Sequence, residues 1–107
     1  MAAGDRKKGN SDDNGKDEGT RLSAAELSRA ALTTVAELTN YRPEAVTALE
    51  WDGEAGSWQI TVDALELERI PNTTDLLGEY VVQLDEDGTL RGYRRLRRFQ
   101  RGQRDGE

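Results

Sequence analysis

The chain has 107 residues, no Cys, no His and a formal net charge of -6. These absences remove disulfides, thiolate or imidazole metal sites and the histidine general base, which leaves carboxylates alone for any metal or acid–base role. The length allows one domain of roughly 80 residues and no large catalytic cleft, and no apolar run approaches the ~20 residues that span a bilayer.

The net charge hides a segregation. Residues 22–90 carry three basic against fourteen acidic side chains, a balance of -11, while residues 91–107 carry seven Arg against Asp105 and Glu107, a balance of +5. Residues 1–21 are balanced, five against five. A body that is acidic in the middle and basic at one end suits docking to other proteins.

In chain order, residues 1–21 are rich in Gly, Asp, Asn, Ser and Lys without hydrophobic period, so a disordered polar leader is expected there. They lack the apolar stretch of a secretory signal, which points to a cytoplasmic location. Order is expected from Leu22. Ser23 and Glu26 form an S-x-x-E capping box, with Leu22 and Leu27 at the staple positions. Leu27, Ala30, Ala31, Thr34, Val35 and Leu38 then recur as one helical stripe. Pro43 disfavours helix at Arg42, so the helix is predicted to end near Asn40.

Two hairpins follow. Around the loop DGEAGS, pairing Trp51 with Trp58 sets Leu49 opposite Ile60, Thr47 opposite Val62 and Ala45 opposite Ala64, and keeps the apolar residues on one face. The tryptophans read as a cross-strand packing pair rather than a ligand site. After Ala64 the apolar parity flips to Leu65 and Leu67, which predicts a bulge or bend before IPNTTD. In the second hairpin a three-residue loop of Glu86, Asp87 and Gly88 puts glycine at the left-handed position. That register pairs Leu84 with Leu90, Val82 with Gly92 and Gly78 with Leu96 on one face, and Gln83 with Arg91, Val81 with Tyr93 and Glu79 with Arg95 on the other. DEDG lacks the ligand spacing of an EF-hand loop and reads as a turn, not a metal site. Asn72-Thr73-Thr74 matches a glycosylation acceptor and reads as a polar loop. The fold class is therefore α+β: one N-terminal helix packed on a four-stranded antiparallel meander, similar to the cystatin or PepSY layout. The domain spans 22–102, with a disordered tail at 103–107.

The order and spacing of Leu67, Glu68, Arg69, Ile70 and Pro71 with Thr74 and Asp75, of Tyr80 with Leu84, Asp85, Asp87 and Gly88, and of Tyr93, Arg94, Arg95, Arg98, Arg101 and Gly102 resemble the gas vesicle synthesis protein O (GvpO) family. The resemblance covers roughly residues 22–102. It implies an accessory protein needed for gas vesicle formation, cytoplasmic or associated with the vesicles, working beside the shell protein and other accessory proteins. It implies no enzyme activity and no cofactor.

Partner binding is expected from Arg91, Tyr93, Arg94, Arg95, Arg97, Arg98, Phe99 and Arg101. Arg91, Tyr93, Arg95, Arg97 and Phe99 would alternate on one side of the last strand, able to grip carboxylates bidentately or to stack on rings. A bland alternative is a solvated strand face that pairs with neighbouring carboxylates and protects the edge from aggregation. Two rival classes remain. RGYRRLRRFQRGQR interleaves Arg with aromatics as nucleic-acid-binding surfaces do, although the acidic body would repel a polyanion. Glu66, Glu68, Asp75 and Glu79 lie near one another as a carboxylate hydrolase would require, but no nucleophile motif accompanies them.

Overall fold

The computed structural model describes residues 21–103; the expected leader falls almost wholly, and the expected tail largely, outside the described residues. Helix α1 (Ala24–Thr39) is followed by β1 (Arg42–Asp52), β2 (Ser57–Leu67), β3 (Leu76–Leu84) and β4 (Leu90–Gln100), with 3-10 turns at Asn72–Thr74 and Arg101–Gln103. The strands form one antiparallel sheet in the order β1-β2-β3-β4, a meander with the helix laid over β1, β2 and β3.

The helix begins where its capping box dictates. The Ser23 hydroxyl accepts from the Glu26 N–H, and the Glu26 carboxylate accepts from the Ser23 N–H. It ends at Asn40, whose φ of 65° stops the helix while its N–H still donates to the Ala36 carbonyl. Of the expected stripe, Leu27, Ala31 and Val35 are fully buried and Ala30 is half-buried. Leu38 is instead 46% exposed, because it sits in the last turn, where cover from the sheet runs out. Leu32, off the stripe, also packs against the core.

Beneath the helix lie Ile60, Val62 and Ala64 from β2 and Tyr80, Val82 and Leu84 from β3, with Val46, Leu49 and Trp58 at the margin. Trp51 faces Trp58 and Leu49 faces Ile60 as the sequence predicts. The pairs Thr47–Val62 and Ala45–Ala64 do not form. Irregularities at Thr47 and Glu44 bring Val46 opposite Val62 and Pro43 opposite Ala64, so the more apolar Val46 takes the core-facing place expected for Thr47. The two indoles meet edge-on, with centroids 5.4 Å apart; Trp58 packs on the core while Trp51 stays 44% exposed.

The parity flip after Ala64 is a register shift at Glu66. Leu65 precedes the shift and, by the ordinary alternation after Ala64, lies on the face away from the helix, where it forms a second small cluster with Leu77 and Phe99. In the β3–β4 turn, Gly88 has a φ of +89°, its N–H donates to the Asp85 carbonyl, and the Asp87 carboxylate accepts from the Thr89 N–H. The DEDG segment is thus a turn held by its own backbone.

Beyond that turn the expected register fails in a specific way. Leu84 faces Leu90, but Arg91 is then skipped, so Gln83 faces Gly92, Val82 faces Tyr93 and Tyr80 faces Arg95. Leu96 is skipped in turn, so Glu79 faces Arg97, Gly78 faces Arg98 and Leu77 faces Phe99. The two irregularities bring Tyr93 beside Tyr80, with centroids 6.4 Å apart, and Arg97 within 2.9 Å of Glu79. A continuous ladder would have placed Tyr93 and Glu79 on the other pairing.

Candidate functional site on the arginine strand

β4 is an edge strand, and its side chains divide between two faces. The expected row of Arg91, Tyr93, Arg95, Arg97 and Phe99 on one side is therefore not what forms. Tyr93, Arg95 and Arg98 share the helix-side face with Val82, Tyr80 and Gly78, whereas Arg94, Arg97 and Phe99 share the opposite face with Val81, Glu79 and Leu77. Phe99 is 8% exposed within the small cluster, and the Arg97 guanidinium lies 4.7 Å from its ring centroid.

The helix-side arginines converge on one carboxylate. The Glu66 side chain has no exposed surface; it accepts from Arg98 Nε at 2.9 Å and from the Tyr80 hydroxyl, and Arg95 Nε stands 3.7 Å away. Burial first, and then the bond to Glu66, push the Tyr80 phenol well above its usual range, so it remains a proton donor. The irregularity at Glu66 turns this carboxylate over Gly78, where an added Cβ would collide with it. A fully covered carboxylate holding one phenol and two guanidiniums is a structural brace: it fixes the middle of β4 against β2 and β3.

A second brace closes the corner. Asp75 accepts from the Arg69 N–H at 2.7 Å and from Arg101 at 3.0 Å, and Arg101 also makes a bidentate pair with Glu44 at 2.8 and 2.9 Å. The Arg101 N–H donates in turn to the Asp75 carbonyl. The β2–β3 crossover, the end of β4 and the start of β1 are thus tied through one guanidinium. Arg101 holds Glu44 below its ordinary range, and the Arg69 N–H, followed by Arg101, does the same for Asp75. Much of the R-I-P-N-T-T-D and R-G motif text is this corner.

What remains outward is narrower than the sequence suggests. Arg91 pairs with Asp85 at 2.8 Å and Arg97 with Glu79. Arg94 makes no hydrogen bond or ion pair among the described residues and lines a shallow groove of about 200 Å³ with Val81, Gln83, Gly92 and Tyr93. Leu90, Tyr93 and Leu96 on the same strand are 41, 40 and 43% exposed. The site is thus a basic and apolar sheet edge. Among the described residues no cluster of carboxylates is placed to hold a metal ion, and no helix is long and apolar enough to cross a membrane. Sequence reading missed Glu66 as the hub. The available signals were the period of two that carries Ile60, Val62 and Ala64 on to Glu66 on the helix side, and the glycine two residues before Tyr80.

Comparison with known proteins bears directly on this chain. Residues 10–105 match the family described as Gas vesicle synthesis protein GvpO, beginning earlier than the motifs from Leu22 onward. A Gas vesicle protein O from Streptomyces sp. (strain CB03234) is 44% identical over 77 residues, covering 72% of this chain and 59% of that protein. A Gas vesicle protein O from Haloferax mediterranei is 35% identical over 66 residues, covering 62% of this chain and 46% of that protein. The chain therefore spans about half the length of these curated relatives. No solved structure matches it. The family match runs over most of the chain and takes in the whole helix, sheet and braced corner, and the chain belongs to the GvpO family of gas vesicle synthesis proteins.

Proposed function

We propose that this chain serves gas vesicle formation as a non-enzymatic accessory protein in the cytoplasm, docking through β4 onto the shell protein or other accessory proteins. The observation that carries this reading is the composition of the open edge: the strand carries Arg94 without a carboxylate partner among the described residues, together with exposed Leu90, Tyr93 and Leu96. Apolar shell subunits awaiting assembly need a protein surface that holds them in register and out of aggregates, which is a binding task rather than a reaction. Basic and aromatic side chains around an apolar centre are the composition of such interfaces. The nucleic-acid alternative is weakened by the pairing itself, because Arg91, Arg95, Arg97, Arg98 and Arg101 all face carboxylates of the chain and do not form a free polycationic track.

The test is complementation of a vesicle-forming strain lacking this gene, scored by buoyancy, with circular dichroism of the purified protein. Arg94→Glu removes no pair among the described residues, so the variant should fold as the parent does and fail to support vesicles. Normal vesicles from a folded Arg94→Glu variant would overturn the docking role.

A further inference from the structure

Sheet edges are usually blunted against strand addition by charge, proline and bulges. β1, the other edge, conforms: it carries Pro43, irregularities at Glu44 and Thr47, and cover from the helix. β4 conforms only in part, with charge and two irregularities but no proline. Five Arg give it charge, yet it also exposes Leu90, Tyr93 and Leu96 along its length, which a merely protected edge has no reason to carry. Its two irregularities, at Arg91 and Leu96, bracket an unbroken stretch from Gly92 to Arg95.

Within and around that stretch the two faces differ in chemistry. On the helix side, Leu90 and Tyr93 are apolar and half-open, while Arg95 and Arg98 turn inward to Glu66. On the far side, Gly92 leaves room beside Arg94, and Arg97 follows, its side chain 50% exposed and its guanidinium over Phe99. A strand laid along β4 would meet Leu90 and Tyr93 on the helix face, before Arg95 whose guanidinium is engaged by Glu66, and the guanidiniums of Arg94 and Arg97 on the other. A strand's own side chains alternate with the same period of two.

We propose that β4 accepts a fifth strand: an extended segment of a partner protein whose apolar residues and carboxylates alternate, the apolar ones beside Leu90 and Tyr93 and the carboxylates beside Arg94 and Arg97. This rests on the docking reading above and gives that partner its chemistry and its mode of binding. A second copy of this chain is disfavoured as the occupant, since β4 against β4 would set five Arg against five. The backbone of the added strand supplies affinity, and the alternation supplies selectivity.

The probe is a capped eight-residue peptide alternating Glu and Val, with a Lys and Val peptide as control, added to the full chain while amide hydrogen exchange is followed. Slower exchange in Gly92–Arg95 with the Glu peptide, unchanged exchange in α1, and at least a tenfold weaker response in Arg94→Glu are expected. No slowing in β4, equal slowing by the Lys peptide, or an unaltered response in folded Arg94→Glu would overturn the proposal. So would β4 protection that grows with protein concentration alone, which would assign the edge to a second copy. The two readings fail separately. Loss of vesicles in Arg94→Glu with no peptide protection leaves docking standing without strand addition, whereas peptide protection with normal vesicles removes the docking role and keeps the strand site.

Discussion

Gly78→Ala isolates the Glu66 brace. A Cβ at position 78 would lie 2.7 Å from the Glu66 carboxyl carbon and 2.8 Å from Cε1 of Tyr80, both closer than real Cβ contacts allow. An exposed glutamate would swing away at little cost. Glu66 has no such freedom, because its side chain is fully covered and holds Tyr80 and Arg98. Overpacking of this kind costs about 1–3 kcal/mol, and displacing a carboxylate from charge-assisted bonds costs about 1.5–3 kcal/mol. Part of each is relieved by relaxation, so an expected loss of about 2–4 kcal/mol follows, or roughly 10 °C or more in Tm for a domain of this size. The assay is urea unfolding followed by circular dichroism on the parent, Gly78→Ala, Glu66→Ala and the double variant. Removing the carboxylate makes room for the new methyl, so the double variant should lose less than the sum of the single losses by about 1 kcal/mol or more. Strict additivity, or a Gly78→Ala midpoint equal to the parent's, would refute the brace.

Two further outcomes follow from the turn and the corner. Gly88→Val forces a β-branched residue to positive φ and drives its Cβ to 2.7 Å from the Leu22 side chain; it should lower stability by about 1–2 kcal/mol or more. Asp87→Ala loses only the bond to the Thr89 N–H and should cost less, and the reverse ranking in urea midpoints would contradict the turn. The folded values of Glu44 and Asp75 lie below their ordinary values of 4.5 and 3.8, so their stabilisation is complete above those values and disappears as pH falls through the lowered ones. Arg101→Gln should flatten the Glu44 share of that acid limb and leave the share of Asp75 that comes from the Arg69 N–H. An acid limb unchanged in slope would show that the corner pairs add nothing.

The legible parts of the fold were those fixed by local chemistry. The capping box, the stop at Asn40, the glycine of the β3–β4 turn and the Trp51–Trp58 and Leu84–Leu90 pairings each depend on residues close in sequence or flanking a single turn. The errors lay farther along the strands. A register counted outward from a turn holds until the first skipped residue, and every later pair then changes face. At Glu44 and Thr47 a third element is involved, since the core under the helix takes Val46. At Arg91 and Leu96 the skips bring Tyr93 beside Tyr80 and Arg97 onto Glu79, diagonal and ionic contacts within β3 and β4 that a residue-by-residue count from the turn does not weigh.

The same limit decides how much of the site could be read. A run of arginines announces a basic strand, but its chemistry depends on which guanidiniums already have carboxylates, and those lie far off in sequence: Glu66 for Arg98, Glu44 and Asp75 for Arg101. Once these are assigned, the charge excess of the C-terminal strand is mostly internal glue that binds β4 and the corner to an acidic body. Replacing Arg95 or Arg98 would therefore disturb the fold as well as the surface, and a loss of function there would not distinguish docking from folding. Arg94 differs, since it faces the groove beside Gly92 with no ion pair among the described residues. A reversal of its charge changes what approaches the edge while leaving both braces intact, so the candidate surface narrows from eight residues to one guanidinium and the three exposed apolar side chains carried by the same strand.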